Sequence, residues 1–255
     1  MAVVSERGVV VPPSPPFSKG QINRAGDRLR EWLLDDDAWQ NATEQETMDT
    51  FGVLVPFRAS FQQPLNKVVM GLRSFVKSEM KALPPDGKLP VGQRLKREPT
   101  IAEKLLRFPG MELARMQDIG GCRAIPTGGA PEVQGILRRI KKHWGPTIKG
   151  GKDYTEEPAP TGYRAIHVVV QRDDRLIEIQ LRTPGQHEWA RAVERTELRT
   201  RFALKNGEGP PELLRYFELA AEGIALQDAS EAADSTFTEE FGEIWEQVRS
   251  YFEKS

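Results

Sequence analysis

The chain has 255 residues, 38 % of them hydrophobic and 29 % charged, with a net charge of −1. That size supports one large core, or a core with a helical appendage, and the composition is that of a soluble globular protein. No apolar run reaches the roughly 18 residues of a membrane span, no secretory leader is expected, and the lone Cys122 excludes an internal disulfide or a cysteine-pair metal site.

The expected location is the cytoplasm. The near-neutral total hides an asymmetry. Residues 91–152 hold thirteen Lys or Arg against five Asp or Glu, and residues 208–255 hold three against twelve. A basic centre suits a polyanionic substrate, and an acidic tail suits self-shielding or a partner. Solvated helices of opposite sign are the plainer alternative.

Residues 1–17 contain four prolines and few anchoring hydrophobics, so a loose lead-in is expected. Ser18 is placed to cap a helix running to residue 34, with Ile22, Ala25, Leu29, Trp32 and Leu33 at helical spacing. Asp35, Asp36 and Asp37 oppose the dipole at a helix end and fit the start of the next element better. A long helix is predicted over residues 64–80, stopped by Pro84-Pro85-Asp86-Gly87.

Residues 100–107 predict a short amphipathic helix capped by Thr100, residues 122–125 a strand, and residues 131–144 a helix. Two strands joined by a polar turn follow, from Thr161 to Arg182. Helices are then expected over residues 186–204, 211–226 and 238–252. Strand, helix, strand, strand flanked by helices predicts an α/β fold, a mixed sheet with helical layers. The expected divisions are a lead-in (1–17), an N-terminal helical part (18–90), a core (91–205) and acidic C-terminal helices (206–255).

Side chains two apart share one face of a strand. Glu178, Gln180 and Arg182 therefore project together, away from Ile177, Ile179 and Leu181, and suit metal, sugar hydroxyl and phosphate. A half-solvated edge strand is the plainer alternative. Arg94 with Lys96, and Lys104 with Arg107, form two cationic pairs that could cradle a triphosphate. Asp118 stands at a strand entrance, where a carboxylate can bind Mg²⁺ or simply order a turn. Arg123 could stack on a base or pair with Asp118. Tyr163 offers a flat face for a purine, and His167 either orients a phosphate or is a satisfied core histidine. No zinc spacing, Walker loop or Rossmann glycine fingerprint is found.

In order and spacing, Arg94-x-Lys96 with Thr100-Ile101-x-x-Lys104-Leu105, then Asp118-Ile119-x-Gly121-x-Arg123, then Lys152-Asp153-Tyr154 with Gly162-Tyr163-Arg164-Ala165-Ile166-His167, then Glu178-Ile179-Gln180-Leu181-Arg182-Thr183 resemble the synthetase domain of the RelA/SpoT family. The resemblance covers about residues 90–200. It implies a nucleotidyltransferase-like fold and a pyrophosphokinase that moves the β,γ-pyrophosphate of ATP to a ribose 3′-hydroxyl. By motif, Arg94 and Arg123 would sandwich adenine; Lys96, Lys104 and Arg107 would hold the ATP phosphates. Asp118 and Glu178 would bind Mg²⁺ and serve catalysis, and Tyr163, His167, Gln180 and Lys152 would meet the acceptor.

Two features depart from makers of guanosine tetraphosphate. Alanine stands in Pro158-Ala159-Pro160 where a lysine is usual, and Phe17-Ser18-Lys19-Gly20-Gln21-Ile22-Asn23-Arg24-Ala25-Gly26 resembles the opening of toxic small synthetases. Those toxins often modify the 3′ CCA end of tRNA. The resemblance thus implies a tRNA acceptor and an antitoxin partner, with GDP or GTP as the alternative acceptor and a homo-oligomer as a possible assembly. The row Arg191, Arg195, Arg199 is expected to contact RNA phosphates, or else to pair with the interspersed Glu188, Glu194 and Glu197.

Overall fold

A computed structural model describes residues 17–84 and 86–253. The expected lead-in lies outside them, apart from Phe17, which packs against the core. Among the described residues a single sheet holds β1 (Val91–Leu95), β2 (Gly120–Ala124), β3 (Ile148–Asp153), β4 (Ile166–Arg172) and β5 (Arg175–Leu181), in the order β1-β2-β5-β4-β3. β2 and β5 run parallel; the other pairs are antiparallel. The β4–β5 hairpin closes through Asp173 and Asp174 at φ 47° and 60°, the left-handed pair that suits a two-residue turn between twisted strands.

The alternation of β5 decides which side of the sheet is core. Ile177, Ile179 and Leu181 are fully buried and share one cluster with Val168, Val170, Cys122 and Ala124. Across that apolar face lies α4 (Gln62–Glu79), with α6 (Ala130–Trp144) packed beside it. Gly71 permits this approach, because a Cβ there would stand 2.4 Å from the Trp144 ring.

The N-terminal helices brace the basic part of the chain. α1 (Lys19–Leu34) begins with a reciprocal capping box between Ser18 and Gln21. Asn23 accepts the Ala114 amide through Oδ1, and Gly26 meets the Leu113 side chain so closely that a Cβ would lie 2.7 Å away. Arg30 donates to the carbonyls of Leu105 and Met111, at 3.0 and 2.7 Å, closing the end of α5 (Glu98–Arg107). Much of the opening segment from Phe17 to Gly26 thus has a structural role, as part of the brace that fixes α5.

Several expectations need correction. Leu33 is 47 % exposed, because the buried stripe of α1 runs through Ile22, Ala25, Leu29 and Trp32. Thr100 is not the cap of α5. Arg97 occupies that position without a side-chain cap bond, because Pro99 favours the first turn and starts the helix earlier. α2 (Asp36–Gln40) does begin at the aspartates, capped by Asp35. α3 (Glu44–Ala59) was not anticipated.

Beyond the sheet, α7 (Pro184–Thr200), α8 (Pro211–Ala229) and α9 (Ser235–Val248) enclose a second apolar cluster around Trp189, Val193, Leu213 and Phe217. α9 buries only Val248 of its own residues. No helix among the described residues is long and apolar enough to cross a membrane.

Candidate active site

The polar face of the sheet collects the residues singled out by sequence. Gly92 pairs with Arg123 and Arg94 with Gly121; Gly121 in turn pairs with Glu178 and Arg123 with Gln180. Gln180 faces His167, which faces Lys152. Directly paired residues share a face, so Arg94, Arg123, Glu178, Gln180, Arg182, His167 and Lys152 all project the same way. Arg94 and Arg123 are diagonal neighbours, a spacing of roughly 7–8 Å that can admit a flat ring. Gly92 and Gly121, between these side chains, leave the floor open.

Above this floor lies a cavity of about 520 Å³. Arg94, Arg107, Asp118, Arg123, Glu178 and Gln180 line it, together with Tyr163, His167 and Arg182, while Trp189 and Glu194 wall it from α7. Lys152 is exposed on edge strand β3, its ammonium 4.9 Å from the Tyr154 ring centre, and does not line the cavity.

Asp118 and Glu178 therefore meet at one cavity although 60 positions separate them in sequence. Asp118 Oδ2 accepts Lys96 Nζ at 2.9 Å and Lys104 Nζ at 2.8 Å, and all three side chains are largely buried. Its other oxygen, Oδ1, is buried without a hydrogen-bond partner. Burial alone would raise the Asp118 pKa, but the hydrogen bonds and charges of Lys104 and Lys96 prevail and hold it low. The pairing of Asp118 with Arg123, weighed as an alternative, is not formed. Lys96 and Lys104 instead share the carboxylate, while Arg107 turns away to Asn206 Oδ1 at 2.6 Å.

Glu178 sits in a closed ring of hydrogen bonds. His167 Nδ1 lies 3.0 Å from its Oε1, and Gln180 Nε2 donates to its Oε2 at 2.8 Å. Arg182 Nη2 donates to Gln180 Oε1 at 2.9 Å and to the Tyr163 hydroxyl at 2.8 Å; that hydroxyl lies 2.7 Å from His167 Nε2. Burial pushes Glu178 upward, yet the His167 hydrogen bond and charge, with Gln180, bring it below the usual carboxylate value; the nearby Asp118 charge opposes them. Both acids are thus ionised near neutrality. Burial, followed by the Glu178 charge, pushes the Cys122 thiol up to about 12, so it is a core residue and not a nucleophile.

Tyr163 is less free than its turn position suggests. Arg182 lies over its ring at 5.1 Å, and Tyr154 and His167 meet it edge-on at 5.5 and 5.7 Å. The adjacent Gly162 (φ 84°) packs against Phe217 and Ala221 of α8. A base can therefore reach the Tyr163 ring only from the cavity side. Sequence reasoning gave no role to Tyr154 or the α7 wall, and read Arg182 only as a cation suited to phosphate. Arg182 was visible on the common face of β5, but its burial was not.

Among the described residues no group of three or more His, Cys, Asp or Glu gathers to hold a metal. Two carboxylates, Asp118 and Glu178, line the same cavity, and Asp118 Oδ1 is a buried acceptor without a hydrogen-bond partner. That donor set fits Mg²⁺, which takes one or two protein carboxylates and completes its shell with substrate phosphates and water.

The description "Region found in RelA / SpoT proteins" matches residues 93–199. The chain is 28 % identical over 226 residues to the GTP pyrophosphokinase YjbM of Bacillus subtilis, covering 85 % of this chain and 92 % of that protein. It is 27 % identical over 194 residues to the uncharacterized protein Rv1366 of Mycobacterium tuberculosis, covering 76 % of this chain and 64 % of that protein's length. In fold it is similar to small alarmone synthetase 2 of Bacillus subtilis, with a TM-score of 0.54 at 22 % identity, over 68 % of this chain and 92 % of that one. Matched region and shared architecture agree: residues 93–199 match the region found in RelA/SpoT proteins, and the chain has the fold of small alarmone synthetases.

Proposed function

We propose that the chain is an ATP-dependent pyrophosphokinase acting on a ribose 3′-hydroxyl. The observation that supports this most is the presence of two ionised carboxylates, Asp118 and Glu178, in the lining of one cavity flanked by cations and by an aromatic platform. The acceptor 3′-oxygen attacks the β-phosphorus of ATP. The bond from that phosphorus to the α–β bridging oxygen breaks, AMP departs, and the hydroxyl proton is released to solvent. Transfers of this kind are accelerated chiefly by positioning and by neutralising charge.

Arg94 and Arg123 hold the adenine between their guanidinium planes. Lys96, Lys104 and Arg107 neutralise the phosphates, the two lysines turning from Asp118 as nucleotide arrives. Asp118 and Glu178 would hold Mg²⁺, which would supply charge neutralisation on the phosphates. Glu178 also accepts the hydrogen bond of the attacking hydroxyl. A carboxylate held below its usual pKa is a weak base, so it polarises that hydroxyl more than it deprotonates it. Tyr163 stacks on the acceptor base, with His167, Gln180 and Lys152 on the acceptor side.

Guanine nucleotide is the acceptor with the broader support. YjbM carries the name GTP pyrophosphokinase, and the arginine row that would meet tRNA is partly engaged within the chain. Arg191 pairs with Glu188, Arg199 donates to the carbonyls of Phe252 and Glu253, and Lys205 pairs with Glu194 and Glu197. The tRNA reading has one observation of its own: Ala159, at the position where makers of guanosine tetraphosphate usually carry a lysine, lines the cavity. Purified protein, Mg²⁺ and γ-labelled ATP, offered GDP, GTP and deacylated tRNA in parallel, separate the two. Label is expected in a guanosine product; label in tRNA alone would transfer the assignment to the toxin class.

A further inference from the structure

The helix that carries Lys104 and Arg107 cannot hold its own ends. α5 has ten residues, fewer than the roughly 12–15 below which an isolated helix is marginal in water. Its N-cap, Arg97, makes no side-chain cap bond. At the other end, the Leu105 carbonyl would accept the amide four residues on, but that residue is Pro109, which has no N–H. Burial of Ile101, Ala102 and Leu105 fixes which way α5 faces and leaves both ends unserved. Two arginines from the N-terminal helices supply what is missing. Arg30 of α1, its side chain 16 % exposed, donates through Nε to the Leu105 carbonyl at 3.0 Å and through Nη2 to the Met111 carbonyl at 2.7 Å. Its charge also suits a helix C-terminus. Arg58 of α3 donates through Nε to the Lys96 carbonyl at 2.6 Å, and it pairs with Glu98, in the first turn of α5, at 3.3 Å. Both arginines precede the matched region, which begins at residue 93.

We propose that Arg30 and Arg58 are positioning residues, a two-point clamp that sets Lys96, Lys104 and Arg107 for the ATP phosphates. This rests on the reading of those three residues as phosphate ligands. The clamp grips backbone carbonyls and leaves the three cationic heads free of it. Lys96 and Lys104 can therefore exchange Asp118 for phosphate without a shift of the chain that carries them. Because that order is in place before nucleotide arrives, forming the contacts costs less freedom. Arg94 and Arg123 stand on β1 and β2, where strand pairing holds them, and do not depend on the clamp. It acts on the phosphate end of ATP and not on the adenosine end.

The test compares wild type with Arg30→Gln, Arg58→Gln and the milder Arg30→Lys, each first shown to fold by circular dichroism and a cooperative melt. Calorimetric titration with ATP and Mg²⁺, and separately with AMP, reads the two ends of the nucleotide. In both glutamine variants Kd for ATP is expected to rise about 10-fold through misplaced phosphate contacts. Kd for AMP should stay within about 2-fold, since the adenosine end is independent of the clamp. Arg30→Lys keeps the charge but loses the fork that reaches two carbonyls, so an intermediate loss is expected. Amide hydrogen exchange over residues 104–111 should quicken in Arg30→Gln. Equal weakening of ATP and AMP, or an unchanged affinity for ATP, overturns the proposal. So does failure of all three variants to fold, which would make the arginines stability residues. Should wild type bind no ATP while exchange over residues 104–111 still responds to Arg30, the nucleotide reading fails and the clamp on α5 stands.

Discussion

Glu178→Gln is expected to lower pyrophosphate transfer by about 10³-fold or more while leaving the protein folded. The substitution is nearly isosteric, so the alternation that places residue 178 on the polar face is untouched. What changes is the direction of its hydrogen bonds. Glu178 accepts at both oxygens, from His167 and Gln180. A glutamine offers one acceptor and one donor, so one contact becomes donor against donor unless His167 moves its proton. The associated stability loss is about 1 kcal/mol, since that neighbour can relax toward solvent in the cavity. The catalytic loss is expected to be larger because, in the proposed mechanism, a metal ligand and the acceptor of the attacking hydroxyl disappear together. Kinetics alongside a thermal melt distinguish the effects; near-normal turnover in a folded variant would remove Glu178 from the mechanism.

Asp118→Asn is expected to be costly in both activity and stability. Its carboxylate neutralises two lysines whose side chains are 10 % and 23 % exposed. The amide removes the anion, leaving two adjacent cations with nothing between them. Breaking a buried pair costs about 3–5 kcal/mol, and partial solvation of these groups reduces that to roughly 1–3 kcal/mol. In a chain of this size such a loss lowers Tm by roughly 2–10 °C. Transfer should fall by about 10²–10³-fold if Asp118 holds the metal as proposed.

The pH dependence of this contribution has a definite sign. Asp118 is depressed in the folded state. Its stabilisation is complete above the ordinary aspartate pKa and is lost as pH falls through the lower, folded value. Wild type and Asp118→Asn should therefore converge in Tm at acid pH and differ most near neutrality. A constant gap across pH would place the effect elsewhere than in the lysine pairing.

Legibility in the sequence followed the strength of local periodicity. β5 alternates apolar and polar residues without interruption, so its two faces, and with them Glu178, Gln180 and Arg182, could be assigned from one line of text. α6 and α1 were visible for the same reason, through apolar residues at helical spacing. α3 was not, because only Thr50, Leu54 and Phe57 are buried along its length and Pro56 interrupts its last turn. β3 escaped because Gly150 and Gly151 sit in an exposed edge strand with no alternation to detect.

Within the site, membership was readable and partnership was not. Of the side chains the motifs named, Arg94, Arg107, Asp118, Arg123, Tyr163, His167, Glu178 and Gln180 line one cavity, whereas Lys96, Lys104 and Lys152 do not. Nothing in sequence indicated that Asp118 would take Lys96 and Lys104 in place of Arg123, or that a ring of five residues would close through Arg182. Both arrangements depend on register between strands and on α5 being pinned by Arg30 from α1. Such long-range geometry lies beyond any window of local spacing.

The central claim is that this cavity moves two phosphates as a unit, and ATP labelled at the β-phosphorus tests it most directly. In the presence of Mg²⁺ and the acceptor, the account predicts β-label in the acceptor product and one AMP released for each product formed. Release of ADP, with the β-label left on it, would describe an ordinary kinase and contradict the account.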